Sequence, residues 1–367
     1  MFEEFYNIVA NPAALKDKYI EDGKKVILAA PVYTPEEIVH SMGLVPMGAW
    51  GADVELNESK EFFPTFYCSV AQSLLQLGIT GKYKGVSAIM IPHLCDTLKC
   101  TGQNWKVAVK DIPFIPVAYP QNRKAKFGIN YTKQMYSKVI ESLENISGAK
   151  YNEENLKNSI RIYNRHNEVM REFSDLCAEY SDISSSDRSA VFKSATFILK
   201  EEHTLLVEKL IAEIKKLEKN SNKNKIITSG ILADSKSLLK IIDDNNLQIV
   251  ADDVAAESRQ YRTDSKLDGD ALDCLSVKWS NMDDCSVLYD VNKHRIQLII
   301  DNAKKLNAKG VLVLCGPILR RLTRATPLLK KACESEGLPV VLVEVDRQMN
   351  DLAQARTAIE TFKDIIA

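Results

Sequence analysis

The sequence has no CxxC pair, no ferredoxin-type cysteine run, no GxGxxG, no GxxxxGK[ST] and no HExxH. Neither a dinucleotide fingerprint nor a P-loop is therefore available, and a zinc hydrolase has no support. Charge of one sign is also lacking: the net charge is −1, so nothing calls for nucleic acid or an anionic membrane surface as partner. Long apolar runs are missing as well. The longest are strand-length, well short of the ~18 residues of a membrane span, and the acidic start Met1 to Glu4 is not a basic-then-apolar leader. The expected location is the cytoplasm.

What is present describes an ordinary globular chain, 45% apolar and 26% charged over 367 residues, long enough for two or three domains. In a reducing compartment its eight cysteines do not form a disulfide framework, which leaves buried thiols and metal ligands as their uses.

After an opening helix, residues 25–32 (KVILAAPV) form a continuous apolar run, the mark of a parallel strand buried on both faces. Thr34, Pro35 and Glu37 then spell a capped helix start, and Gly43 a stop. Residues 45–50, 86–94 and 114–118 repeat the extended pattern with helical spacing between them. Between Glu153 and Lys219 no strand-like run occurs, while Val207, Leu210, Ile211, Ile214 and Leu217 recur at helical spacing. The polar stretch 220–225 (NSNKNK) reads as a boundary loop, followed by strands at 226–229, 249–251, 311–314 and 340–345, with helices at 235–242 and 293–306. The expected fold is α/β: two doubly wound parallel-sheet domains, 1–150 and 223–367, joined by a helical segment, 151–222.

Ligands in such folds collect at the carboxyl ends of the strands. Cys95 directly follows the third strand-like run and precedes a helix start, Cys68 precedes the helical run 69–77, and Cys315 closes the run 311–314. A helix N-terminus is expected to lower a thiol's pKa, favouring the thiolate that metals take. Three such cysteines from two domains could hold an iron–sulfur cluster with one position left to another ligand. The competing use for each is as a small buried hydrophobe, and spacing alone favours that use. Cys100, five residues after Cys95, is expected to face away along its helix. Cys177, Cys274, Cys285 and Cys333 read as structural; the five histidines never pair at i, i+4, and His93, which alone lies near Cys95, reads as a hydrogen-bonded residue. The acidic string at Asp252 and Asp253, followed by Glu257, Arg259 and Arg262, reads equally as a solvated or ion-paired loop or as a site or subunit contact.

Several strings together carry a resemblance: 33–37 (YTPEE), 63–69 (FPTFYCS), 95–99 (CDTLK), 103–106 (QNWK), 120–123 (PQNR), 228–234, 251–262 and 354–357 (QART). Over nearly its full length the chain resembles the beta subunits of (R)-2-hydroxyacyl-CoA dehydratases, which act on 2-hydroxyisocaproyl-, phenyllactyl-, lactoyl- or 2-hydroxyglutaryl-CoA. The resemblance implies that Cys68 and Cys95 ligate a [4Fe–4S] cluster. The family's third ligand lies in a Lys-Phe-Cys-Asp-Pro-Glu-Glu string, where this chain instead has 315–326 (CGPILRRLTRAT), with Arg320, Arg321 and Arg324 in place of acidic residues. Cys315 is the expected third ligand on position, ahead of Cys100.

The resemblance further implies an alpha-subunit partner, a separate ATP-hydrolysing iron–sulfur activator and a 2-hydroxyacyl-CoA substrate. The implied reaction is syn elimination of water to a 2-enoyl-CoA. The β-hydrogen is not acidified by the carbonyl, so acid–base chemistry alone serves this elimination poorly. One injected electron turns the thioester into a ketyl radical anion that expels hydroxide and makes that hydrogen acidic. An aromatic-acyl-CoA reductase subunit, or a cluster-free α/β scaffold, are the competing readings.

Overall fold

In the computed structural model, which describes residues 1–285, 287–290, 292–316, 325–349 and 351–367, the apolar runs become two four-stranded, wholly parallel sheets. The chain opens with two short helices rather than one, α1 (Glu3–Ala10) and α2 (Pro12–Glu21). The first sheet takes β1 (Val26–Ala29), β2 (Val45–Gly48), β3 (Ala88–Pro92) and β4 (Phe114–Val117) in the order β2-β1-β3-β4. Alternate residues serve opposite faces. Val26, Leu28, Ile89 and Ile91 join one core with α4 (Ser69–Ile79) and α5 (Asp96–Ala108), while Ile27, Ala88 and Met90 join the other with α3 (Glu36–Ser41) and α6 (Lys126–Ser147). Burial on both faces is why these strands read as unbroken apolar runs.

The start of α3 differs from the sequence reading. Pro35 occupies the cap position, the Thr34 hydroxyl donates to the Ala30 carbonyl at 2.7 Å, and Glu37 accepts from Lys278 at 2.6 Å. A tertiary ion pair thus takes the carboxylate that a local capping box would have used. Gly43 does end the helix, with φ +72°.

Three helices follow, α7 (Glu153–Leu176), α8 (Ser185–Ser194) and α9 (Lys200–Ile214). Val207, Leu210, Ile211 and Ile214 enter their shared core, whereas Leu217 lies beyond α9 and is exposed. Phe5 of α1 packs into the same core. The polar stretch at 220–225 is pinned by Asn220, whose Oδ1 accepts from the Ser181 amide at 2.8 Å.

The second sheet has the order β6-β5-β7-β8, from β5 (Asn224–Gly230), β6 (Leu247–Val254), β7 (Gly310–Cys315) and β8 (Val340–Glu344). It is flanked by α10 (Lys236–Asp244), α12 (His294–Leu306), α13 (Ala325–Ser335) and α14 (Ala353–Ile366). One helix crosses over: α11 (Ala271–Ser280) follows β6 in the chain yet packs Ala271, Leu272 and Leu275 into the core beneath the first sheet. Among the described residues, no helix is long and apolar enough to cross a membrane.

Both sheets reverse strand order beside their first strand, between β1 and β3 and between β5 and β7, which is where a doubly wound sheet opens a crevice. The carboxyl ends of the two sheets face each other. Val32 and Tyr33 after β1 pack with Ala255 after β6, and Trp279, Met282, Cys285 and Leu288 complete that apolar seam.

Candidate functional site

Cys95 stands three residues beyond the last residue of β3 as the N-cap of α5, in extended conformation, and its Sγ accepts from the Leu98 amide at 3.4 Å. Cys68 is the N-cap of α4. The helices lie side by side through Leu74, Leu75, Leu98 and Trp105, and the Trp105 indole donates to the Ile112 carbonyl at 2.9 Å. Two helix N-termini and two thiols therefore open into one crevice. The expected fall in thiol pKa is not what this setting produces. Burial pushes the Cys68 thiol up to about 11 despite the amide of Ala71, with Cys95 and Asp346 adding to the rise. Burial also raises Cys95, against the amides of Leu98 and Thr97. Desolvation outweighs the helix ends.

Cys100 is not turned away as its position on the helix implied. Its thiol lies close enough to Tyr67, next to Cys68 in the chain, and to Cys95 to act electrostatically on both. Because Cys95 is the cap of α5 and lies outside its regular turns, helical spacing does not separate the two.

The second domain reaches the same crevice from the opposite side. Cys315 is the last residue of β7, in register with Glu344, and its carbonyl accepts from the Val345 amide at 3.0 Å. Asp346, two residues past Glu344, accepts a hydrogen bond from the hydroxyl of Ser69, which directly follows Cys68. This contact between residues 277 apart in sequence had no sequence signal. The structure thus brings Cys68 and Cys95 together and links Cys315 to them through the β7–β8 edge. Among the described residues, no three His, Cys, Asp or Glu side chains are grouped tightly enough to hold a single metal ion. Arg320, Arg321 and Arg324 lie outside the described residues.

The acidic string resolves into ion pairs. Arg188 bridges Asp252 and Glu257, and Asp253 takes Arg259 at 2.7 Å, Arg262 at 3.4 Å and also Arg295, nearly all of it buried. Arg259 continues to the Cys285 sulfur at 3.4 Å, which the Tyr33 hydroxyl meets at 3.0 Å. Cys177, Cys274 and Cys333 are buried. His166, His203 and Ser194 form a buried chain of 3.0 Å hydrogen bonds at the helical core. His93 stacks on Phe114, and burial lowers its pKa. A separate cavity lies at the carboxyl end of β1, where Glu36 pairs with Lys200 at 3.1 Å and Glu37 with Lys278 at 2.6 Å beside Trp279.

Fold and geometry together define a class: a two-domain α/β protein with thiols at the switch points of both sheets, facing a crevice between the domains. The model of the family described as "2-hydroxyglutaryl-CoA dehydratase, D-component" matches residues 31–366, and the chain belongs to that family. It is 43% identical to the (R)-phenyllactyl-CoA dehydratase beta subunit of Clostridium sporogenes, over 100% of this chain and 98% of that one. It is 36% identical to the beta subunit of the (R)-2-hydroxyglutaryl-CoA dehydratase of Acidaminococcus fermentans, over 99% and 98%. A benzoyl-CoA reductase polypeptide of Thauera aromatica is 25% identical, over 99% and 96%.

Proposed function

We propose that this chain is the beta-type subunit of an (R)-2-hydroxyacyl-CoA dehydratase and that Cys68, Cys95 and Cys315 hold a [4Fe–4S] cluster. In this reading it works in the cytoplasm beside an alpha subunit. A separate ATP-hydrolysing activator supplies one electron, and the substrate loses water through a ketyl radical of its thioester.

The observation that carries the cluster is the pair of thiols that cap two adjacent helix starts, which the second domain meets through the Ser69–Asp346 contact. A desolvated thiol gives up its proton reluctantly, and a second thiol nearby makes that harder. Iron replaces both protons with positive charge, so the setting that disfavours bare thiolates favours metal-bound ones. When bound, such a cluster supplies one-electron transfer. The chain's own part is to place the thiolates at both switch points, direct helix amides at the sulfurs and close the crevice with Tyr67 and the β8 end. The benzoyl-CoA reductase relative supports a second reading as part of an aromatic-acyl-CoA reductase.

The test is iron and acid-labile sulfide in strictly anaerobic preparations of the chain and its variants. About four irons per chain are expected, with loss in Cys68→Ser, Cys95→Ser and Cys315→Ser, and retention in Cys100→Ser. Colourless, iron-free wild-type protein would sink the assignment. Loss in Cys100→Ser with full content in Cys315→Ser would reverse the choice of third ligand.

A further inference from the structure

We infer that the cavity at the carboxyl end of β1 is a binding site for a small uncharged molecule that presents a carbonyl-type oxygen to hydrogen-bond donors. The site is independent of the cluster proposed at the thiol crevice, and either can exist without the other.

All three parts of the chain build this cavity. Thr34 comes from the turn after β1, Tyr163 from α7 in the helical segment, Tyr261 from the short turn Ser258–Tyr261 after β6, and Lys278 and Trp279 from α11. The crossing of α11 to the first domain is what brings Lys278 and Trp279 to this place. Open α/β sheets hold their ligands in such a position, at the carboxyl end of a strand beside the reversal of strand order. The space measures about 90 Å³. That is the share of about three waters in the liquid, so it suits a guest of about three to six non-hydrogen atoms.

Charge limits the kind of guest. The charged side chains that line the cavity are two acids and two bases, paired one to one, Glu36 with Lys200 at 3.1 Å and Glu37 with Lys278 at 2.6 Å. An entering ion would have to break a pair or stay uncompensated, and either is costly away from water. A neutral guest meets no such cost.

Donors set the rest. Trp279 and Tyr261 are only 3% and 4% exposed. The Trp279 indole N–H has no acceptor among the described residues, and the Tyr261 hydroxyl makes no hydrogen bond among them either. The indole is not free to turn in search of a partner, since its ring stacks on Tyr119 at 3.8 Å between ring centres and meets Tyr33 edge-on at 5.9 Å. Buried donors without acceptors cost free energy until one arrives. A carbonyl oxygen has two lone pairs and accepts without bringing charge. The rings of Trp50, Tyr136 and Tyr163, which also line the cavity, offer apolar walls to the remainder of the guest.

Binding is measured on the full-length chain by ligand-observed saturation-transfer NMR, with acetamide, acetate and ethylammonium as probes of nearly equal size and different charge. Acetamide is expected to saturate, with an affinity on the order of millimolar for so small a molecule. Acetate and ethylammonium should bind at least about tenfold more weakly. Trp279→Phe and Tyr261→Phe each keep an aromatic ring and remove a donor, and each should weaken acetamide by about five- to tenfold. Lys278→Met leaves Glu37 without its partner, so the preference should turn to ethylammonium. The charge series on the wild-type chain needs no variant and decides the matter even where a variant fails to fold. No saturation by acetamide, or equal affinity for all three probes, would overturn the inference. So would unchanged acetamide affinity in both Trp279→Phe and Tyr261→Phe, which would put the bound probe elsewhere. None of these outcomes bears on iron content, so the proposed function is tested apart.

Discussion

Arg188 is held on two sides, by Asp252 and by Glu257, and all three side chains are buried. One guanidinium cannot fully compensate two carboxylates in such a setting. Burial lifts Glu257 to about 7, with Arg188 opposing the rise and Asp252 adding to it. The folded chain therefore holds this proton at pH values where the unfolded chain has lost it. The stabilisation is complete below the ordinary glutamate pKa of 4.5 and fades as pH rises through about 7. Glu257→Gln should flatten stability across that window, removing a slope worth about 1–3 kcal/mol. Urea titrations at several pH values in that range check it; an unchanged slope would mean that Glu257 titrates at its ordinary value. The charges of residues 252–262 are legible in sequence, but their role is not. Arg188 and Arg295 come from distant elements, and only the fold shows that they neutralise what a solvated loop would otherwise expose. Thr34 departs from the sequence reading for a related reason: local spacing assumes local partners, and Glu37 found a tertiary one in Lys278.

At the scale of elements the strands are the most legible part, since burial on both faces writes itself as a run of apolar residues. The exception is the far end of β6, which continues through Asp252 and Asp253 to Val254 because buried arginines pair with both carboxylates. The crossing of α11 to the first sheet leaves no local trace, because its apolar face fits either domain. Close approach of strands is equally invisible in sequence but testable. Gly230, last in β5, pairs with Leu314 of β7, the residue before Cys315, and a Cβ there would stand 2.4 Å from the Leu314 carbonyl oxygen. That atom is backbone and cannot rotate aside, so Gly230→Ala should push the two strand ends apart. We expect a loss of about 1–3 kcal/mol in urea unfolding, together with poorer iron retention, because Cys315 moves with its strand. Wild-type stability in the variant would show that this sheet edge yields at little cost.

For the whole molecule, the two domains do not part cleanly. The seam at Tyr33 and Trp279, the crossing of α11, the packing of α1 against the helical core and the Ser69–Asp346 contact all tie them together. What the chain leaves open is the mouth of its thiol crevice, where the residue surface of Cys95 is exposed and Phe66 is 61% exposed. On the proposed reading a radical elimination needs water excluded and an electron delivered, and a cluster at this mouth would meet neither need alone. The charged pairs of the β1 cavity, Glu36 with Lys200 and Glu37 with Lys278, are already committed to each other, so these four side chains offer the substrate no unpaired acid or base there. The isolated chain, even with its iron complete, is therefore expected to show no dehydration of 2-hydroxyacyl-CoA thioesters. Activity should appear only when the alpha-type partner, the activator, ATP and a reductant are all present, followed by the absorbance of the 2-enoyl-CoA product under anaerobic conditions. Cys95→Ser in this chain, with the partner left intact, should abolish turnover or reduce it by at least about tenfold if the electron passes through this subunit. Turnover by the lone chain without reductant would overturn the radical mechanism. Reduction of benzoyl-CoA by the assembled complex, with no dehydration of any 2-hydroxyacyl-CoA, would move the protein to the reductase reading.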